Sequence, residues 1–399
     1  MNILFLSLSS LTSLPKRGIY TDLIRKLLAE GHTVTAVHPS SDHLEKHHIY
    51  SVEGNFRRLS VHTGQITKKK NLIQKGISTL LVEHHYKSAL RQYCKDSSFD
   101  LVLSVTPPIS FGGVVKYIKK TYGSKSYLML KDIFPQNAID IGLLPTWGPW
   151  KLLLWWFKRQ ERQLYRLSDY IGCMSPQNVS YLLEHTKSIP QHSVEVCPNS
   201  IDPIPKELIT QHRKKEGEPL VFLYGGNLGK PQDIPYLIAC LKENINKPDR
   251  RFIICGTGTE SDSLQSFLKE NTADNITYIP GLPVDEYEAL VSRCDVGMIF
   301  LDHRFTIPNF PSRILSYMEK AMPVLACTDK NTDMGTIITE GNFGWWCESQ
   351  NTSDFTSLVD TICTLDQTTL LQYGENARLY LENNYTVDHT YQIIMNHFT

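Results

Sequence analysis

The chain has 399 residues, 41% hydrophobic and 21% charged, the make-up of an ordinary soluble globular protein, and its length predicts two domains. Nine scattered cysteines with no Cys-x-x-Cys pair argue against a disulfide framework or a zinc site and for a reducing compartment. The net charge of zero conceals a split: residues 1–200 hold 25 Lys+Arg and 14 Asp+Glu, residues 201–399 hold 16 and 27, so the first half is expected to meet something anionic.

Residues 1–8 are apolar but lack a charged n-region and a small-residue cleavage site, which reads as a first strand and no signal peptide. No apolar run approaches transmembrane length. Strands are predicted at 3–7, 32–37, 56–61, 100–105, 126–130, 170–173 and 194–196, with helices notably at 20–30, 72–93, 111–121 and 150–167. After a junction near 198–215, rich in Pro, Asn, Asp and charge, the scheme repeats. Strands fall at 220–224, 252–255, 276–279, 296–301, 324–327 and 343–347. Helices fall at 234–242, 261–270, 285–293, 311–320, 334–339 and 354–365. This alternation predicts an α/β chain of two Rossmann-like domains with parallel sheets and helices on both faces. Ligands of such sheets gather at the carboxyl ends of the strands, which predicts a cleft between the domains.

In chain order, the first candidate is the loop Lys16-Arg17-Gly18, where two cations precede a helix start and an anion contact is plausible. Asp132 follows a strand within Leu130-Lys131-Asp132-Ile133-Phe134-Pro135, placed for a base or hydrogen-bond acceptor; the alternative is a cap for the next turn. In the segment 147–166, helical spacing puts Lys151, Trp155, Lys158, Arg162 and Arg166 on one face, and Trp150, Leu153, Phe157, Leu164 and Leu167 on a stripe toward the domain. Aromatics mixed with cations suit a bilayer headgroup layer, so contact with an anionic membrane surface is expected, Trp150 included, with Lys68-Lys69-Lys70 adding charge. No nucleic-acid module is found by motif, so no nucleic-acid partner is expected.

The second half centres on Tyr224-Gly225-Gly226-Asn227-Leu228-Gly229-Lys230, a glycine turn between a strand and a helical pattern. Glycines let backbone amides approach an anion, the helix dipole adds positive charge, and Lys230 can reach a diphosphate. The pattern matches neither G-x-G-x-x-G nor the P-loop. Gly256 lies in a second glycine turn, and Gly281-Leu282 follows the next strand, where backbone could read a base edge. Pro311-Ser312-Arg313 opens a helix that also carries Ser316. An arginine there is unfavourable for the dipole unless an anion shares the site. There is no D-x-D, H-E-x-x-H or G-x-S-x-G, so no metal and no cofactor is expected; Lys230 and Arg313 would then neutralise a diphosphate themselves.

These motifs, with Cys173-Met174-Ser175-Pro176, Pro198-Asn199-Ser200-Ile201-Asp202 and Pro323-Val324, resemble in order those of GT-B glycosyltransferases of family 4. The resemblance is closest to the bacterial branch that builds capsule, exopolysaccharide or O-antigen units, including N-acetylfucosamine-type transferases. It implies an N-terminal acceptor domain over 1–200, a nucleotide-sugar domain over 201–380, and a C-terminal helix over 381–399 packing back on the first domain. It implies a retaining transferase, with a UDP-sugar donor carrying an N-acetylated amino sugar and a polyprenyl-diphosphate-linked saccharide as acceptor. The catalytic set would be Asp132, Lys230 and Arg313. The substrate contacts would be Lys16, Arg17, Gly18, Gly225, Gly226, Asn227, Gly256, Gly281, Leu282, Pro311, Ser312 and Ser316. The enzyme would lie in the cytoplasm, peripherally on the inner leaflet of the plasma membrane. One departure is plain: the family's E-x7-E pair falls on Pro308 and Ser316, and its following glycine on Ala321. Asp302, His303 and Glu319 stand nearby. Two alternatives share the architecture, a UDP-sugar 2-epimerase and a non-catalytic nucleotide-sugar-binding partner.

Overall fold

The structure, a computed structural model, describes residues 1–11, 13–40, 47–63, 72–209 and 217–398, with backbone only over 72–80. The Lys68-Lys69-Lys70 cluster lies outside the described residues. The chain divides into two compact units, Met1–Asp202 with Val387–Thr399, and Pro203–Thr386.

Unit 1 contains β1 (Asn2–Leu6), α1 (Ile19–Ala29), β2 (Thr33–Pro39), β3 (Ile49–Glu53), β4 (Phe56–Val61), α2 (Leu72–Tyr93) and β5 (Leu101–Val105). It continues with α3 (Phe111–Tyr122), β6 (Lys125–Leu130), α4 (Gln136–Asp140), α5 (Trp150–Leu167), β7 (Tyr170–Cys173), α6 (Pro176–His185) and β8 (Val194–Val196). Among the described residues these strands form one sheet in the order β3-β4-β2-β1-β5-β6-β7-β8. Every residue of β5 is buried, as a central parallel strand covered by helices on both faces requires. The expectation of a wholly parallel sheet fails at one edge. There β3 runs antiparallel to β4, because Gly54, at φ 60°, closes a tight hairpin between them where no crossover helix fits.

Unit 2 contains β9 (Leu220–Gly225), α7 (Ile234–Lys242), β10 (Arg250–Cys255), α8 (Ser261–Glu270), β11 (Ile276–Ile279), α9 (Val284–Val291) and β12 (Val296–Phe300). Then follow α10 (Ile314–Glu319), β13 (Val324–Thr328), α11 (Met334–Glu340), β14 (Gly344–Glu348), α12 (Thr352–Cys363) and α13 (Gln367–Asn384). Its parallel sheet has the order β11-β10-β9-β12-β13-β14. This is the doubly wound arrangement, whose strand order reverses between β9 and β12; ligands bind beyond the carboxyl ends at that point. Phe222, Phe252, Phe300 and Phe355, all buried, form the middle of the core.

The chain then returns to unit 1 as α14 (Val387–Met395). Ile394 and Met395 enter the core around Phe5, Leu23, Ile24 and Tyr127. Lys26 of α1 binds Asp388 at 2.6 Å, and the His397 ring stacks on Tyr170 with centroids 3.8 Å apart.

Candidate functional site

The glycine-rich turn after β9 lies at the topological switch point of unit 2, and it is built by backbone packing as much as by conformational need. The amide of Gly226 donates to the Cys255 carbonyl at 2.8 Å, and that of Leu228 to Thr257 at 2.9 Å, so the turns after β9 and β10 are zipped together. A Cβ on Gly256 would fall 1.7 Å from the Gly226 carbonyl oxygen, and one on Gly225 would fall 2.0 Å from the Tyr287 hydroxyl. Gly226 itself has φ 130°, a conformation that side chains rarely adopt.

Beside this turn opens a cavity of about 490 Å³. Gly225, Gly226, Asn227, Gly256, Gly281, Leu282, Arg313 and Ser316 line it, joined by Cys255, Thr257 and Tyr287. Eight residues singled out in the sequence are thus brought together, while Lys230, Pro311 and Ser312 are not among the lining. Among the described residues no carboxylate lines the cavity, and Arg313 is its one cation. The Arg313 guanidinium lies 4.4 Å from the Tyr224 ring centroid, a cation–π contact, and Tyr224, Tyr287 and Tyr317 all act on its charge. Burial is the largest influence on this guanidinium and opposes its charge. The phenols outweigh it and hold the group above its already high range. The Tyr317 hydroxyl is anchored by the Gly225 amide at 3.2 Å and the Leu223 carbonyl at 3.1 Å, which fixes the ring beneath the site. The tyrosines carried no spacing signal; only their position on elements flanking the turn reveals them.

The helix begins where expected, at Ile234, and between the turn and that helix Lys230 opens a 3-10 turn, Lys230–Gln232, and stands exposed. Two details correct the sequence reading. The N-terminus of α7 is already met by Asp233, whose side chain accepts the Tyr236 amide at 3.2 Å, so its dipole is not open to a ligand. The helix expected at 311–320 shortens to α10, six residues, with Arg313 at its cap position and no side-chain cap bond.

The acidic candidates near the turn have other tasks. Asp302 is buried and paired with Arg304 at 2.5 Å. His303 Nδ1 lies 3.5 Å from Asp233 and 3.7 Å from Asp302. Glu319 is buried, accepts the Ile204 amide at 2.9 Å, and offers its carbonyl to Arg378 at 3.0 Å. Ala321, standing where the family glycine would be, has φ 51°, which explains why glycine suits that position.

In unit 1, Asp132 follows β6, and Thr106 Oγ1 accepts the amides of Lys131 and Asp132 at 2.8 and 3.3 Å. The capping alternative does not hold, since α4 begins at Gln136 with no side-chain cap. Burial pushes the Asp132 carboxyl up to about 6 and the neighbouring Lys131 ammonium down to about 8. Lys131 Nζ donates to the Cys197 carbonyl at 3.1 Å. The Gly18 loop is internally satisfied: the Gly18 amide donates to Asp22 at 2.9 Å and Arg17 donates to the Asp202 carbonyl at 2.6 Å. The Lys16 carbonyl accepts Thr21 Oγ1 at 2.7 Å. An anion there would have to compete for the Gly18 amide with Asp22 and for Arg17 with the Asp202 carbonyl.

On α5, Lys151, Trp155, Lys158, Arg162 and Arg166 are exposed together, and Phe157 and Leu164 are buried. Trp150 does not join the exposed face. It packs against the cluster of Ile109, Leu144 and Phe157. The apolar residues that do stand out are Trp147, 69% exposed, Leu152, 73%, and Trp155, 52%. No described helix is long and apolar enough to cross a membrane.

Two Rossmann-like units in series, the second with a ligand cavity at its switch point, define the GT-B class of fold. Residues 19–204 match the family described as Glycosyltransferase Family 4, and residues 205–380 match Glycosyl transferases group 1. The chain is a glycosyltransferase of the GT-B, group 1 type. It is similar to the probable glycosyltransferase WbjE of Pseudomonas aeruginosa, 24% identical over 329 residues, 80% of this chain and 79% of that one. Its fold is similar to sucrose-phosphate synthase from Thermosynechococcus elongatus, with TM-score 0.75 and 14% identity over 100% of this chain and 98% of that one. It is likewise similar to Anabaena HepE in complex with UDP, with TM-score 0.66 and 15% identity over 100% and 99% of the two chains. An E. coli trehalose-6-phosphate structure bound with UDP-2-fluoro glucose gives TM-score 0.73 and 11% identity over 100% and 98%.

Proposed function

We propose that the chain is a retaining transferase. It moves a sugar, an N-acetylated amino sugar by the capsule and O-antigen resemblance, from a UDP-linked donor to a lipid-linked saccharide on the cytoplasmic face of a membrane. The observation that carries the donor side is the cavity of unit 2, where among the described residues no carboxylate lines the wall and the half-buried Arg313 is the one cation, beside closely packed glycine backbone. Such a site favours an anion strongly, because the cation is already desolvated and preorganised. HepE, described as in complex with UDP, supports the choice of nucleotide.

In this reading Arg313 holds the diphosphate, and Lys230 supplies a second cation to it. Gly281 and Leu282 flank the base, while Asn227 and Ser316 meet hydroxyl groups. The bond from the anomeric carbon to the phosphate oxygen breaks, the acceptor oxygen bonds to that carbon on the same face, and the acceptor proton passes to the departing phosphate. Asp132 orients the acceptor hydroxyl. The exposed Trp147, Leu152, Trp155 and the cations of α5 attach the protein to an anionic leaflet.

Calorimetric titration of the full chain with UDP, GDP and a panel of UDP-sugars tests the donor assignment. Selective binding of UDP and one UDP-sugar is expected; binding of GDP in preference to UDP would refute it. The epimerase alternative predicts isomerisation of the donor with no acceptor present, which the same samples report by NMR.

A further inference from the structure

Unit 1 holds a second cavity, of about 250 Å³, to which nothing above gives a role. At ~30 Å³ per water, this is room for roughly eight waters, enough for a polar headgroup. Ile133 and Pro135, from the loop that follows Asp132, line part of it. The face of α5 bearing Lys158, Glu161 and Arg162 lines another part, and Tyr181 and His185 of α6 a third.

Lys158 and Arg162 act on Glu161 by charge across the cavity wall without closing an ion pair with it. Neither Lys158 nor Arg162 has a carboxylate within ion-pair distance among the described residues, although both stand on a helix that carries Glu161. Among the described residues Arg162 donates through Nε alone, to the Lys158 carbonyl at 3.0 Å. Glu161 accepts the Tyr165 hydroxyl at 3.1 Å, and burial pushes its carboxyl up to about 7, so it takes a proton readily when an anion enters. His185 stacks on Tyr181 with centroids 4.0 Å apart, and its Nδ1–H donates to the Tyr181 carbonyl at 2.9 Å, which leaves Nε2 for another partner.

The surroundings choose among anions. One turn toward the start of α5 from Lys158 stands the exposed Trp155, with the Arg159 guanidinium 5.6 Å from its ring centroid and the exposed Leu152 a further turn away. Along one helix the surface therefore passes from apolar side chains to cations to a polar cavity. That order matches an amphiphile with an apolar chain, a phosphate and a polar head.

We propose that this cavity is the headgroup site for a membrane-carried long-chain alcohol phosphate, with Lys158 and Arg162 on the phosphate and the chain beside Leu152 and Trp155. The proposal rests on the reading of the acceptor as lipid-linked and gives that acceptor a place.

The test is flotation of the full-length protein with neutral vesicles that carry either a polyprenyl phosphate or phosphatidylglycerol at matched charge. About tenfold tighter binding to the polyprenyl phosphate vesicles is expected. Thr186→Trp, which fills the cavity without altering charge, is expected to abolish that preference while keeping phosphatidylglycerol binding. Should Thr186→Trp not fold, Lys158→Gln with Arg162→Gln is compared with Lys151→Gln with Arg159→Gln, of equal charge; only the first pair should lose the preference. Equal binding to both vesicles, a preference that survives Thr186→Trp, or equal loss in the two charge-matched pairs would overturn the proposal. So would a preference of the wild type that saturating inorganic pyrophosphate leaves unchanged. UDP titration of the same samples reports separately on the donor site, so failure of that reading is not confused with failure of this one.

Discussion

The guanidinium of Arg313 lies 4.4 Å from the centre of the Tyr224 ring, and a Cβ added to Gly226 would fall 2.1 Å from Arg313 Nη2. The planar cation is thus sandwiched against an aromatic face and a bare stretch of backbone. A lysine ammonium offers neither the flat shape nor the forked donors of this arrangement. Arg313→Lys is expected to weaken UDP binding about tenfold, and Arg313→Ala about a hundredfold, consistent with a desolvated charge-assisted contact of ~1.5–3 kcal/mol. Calorimetry with UDP checks both; unchanged affinity in Arg313→Ala would remove the residue from the site.

The contact of Gly256 with the Gly226 carbonyl predicts a structural cost. At 1.7 Å the added Cβ meets rigid backbone rather than a side-chain end. Gly256→Ala is expected to lose about 3 kcal/mol of stability by overpacking. Gly54→Ala, where nothing lies within 4 Å and only the positive φ is strained, is expected to lose about 1 kcal/mol. Urea unfolding of the two variants side by side measures the difference.

Asp132 predicts a pH dependence. Burial holds its carboxyl at about 6, above the ~3.9 of an unfolded chain. Between those values the folded state keeps a proton that the unfolded state has lost. Stability from this group therefore falls as pH rises through that window, and the whole penalty is present above it. Asp132→Asn removes the penalty and is expected to stabilise the protein by about 3 kcal/mol at pH 8, with little effect at pH 4. Denaturant midpoints at the two pH values check it. If ionised Asp132 orients the acceptor, transfer by the wild type should also decline below about pH 6.

Glu319 is expected to matter for stability and not for the donor. Its carboxylate holds the Ile204 amide at 2.9 Å, so Glu319→Ala leaves a half-buried donor unpaired and should cost about 1 kcal/mol. UDP affinity measured on the folded fraction should not change. A loss of affinity without a loss of stability would instead make Glu319 a substitute for the missing glutamate pair.

The exposed face of α5 predicts salt-sensitive attachment to anionic vesicles. Trp155→Ala combined with Lys158→Ala is expected to reduce it about tenfold, one interfacial aromatic and one cation at ~1 kcal/mol. Flotation at two salt concentrations separates the electrostatic part.

Most of the fold was legible because its strands are short apolar runs covered on both faces. What escaped did so for physical reasons. β3 is an edge strand with exposed residues at both ends, and it offers no apolar run. The eighteen-residue α13 buries Gly374, Ala377 and Arg378 beside Leu370 and Leu381, so its inward face is not a stripe of large apolar side chains. α6 did have a start signal, Ser175 followed by Pro176, with the serine accepting the Asn178 amide. At the site, glycines and Arg313 were visible through their oddity. Tyr224, Tyr287 and Tyr317 were not, since a tyrosine on an apolar strand or helix reads as core. The Gly18 loop looked open because neither Asp22, four residues on, nor the far partner Asp202 is apparent in a linear reading.

The route by which α14 rejoins unit 1 has a bearing on synthesis. Residues 203–386 are translated after β8 and before α14, so the apolar flank of α1 near Leu23 and Ile24 has no Ile394 or Met395 to cover it until all of unit 2 has emerged. The nascent first domain must therefore wait, incompletely closed, while the second one folds. A gene truncated after Asp202 would yield a fragment with that flank bare, prone to self-association.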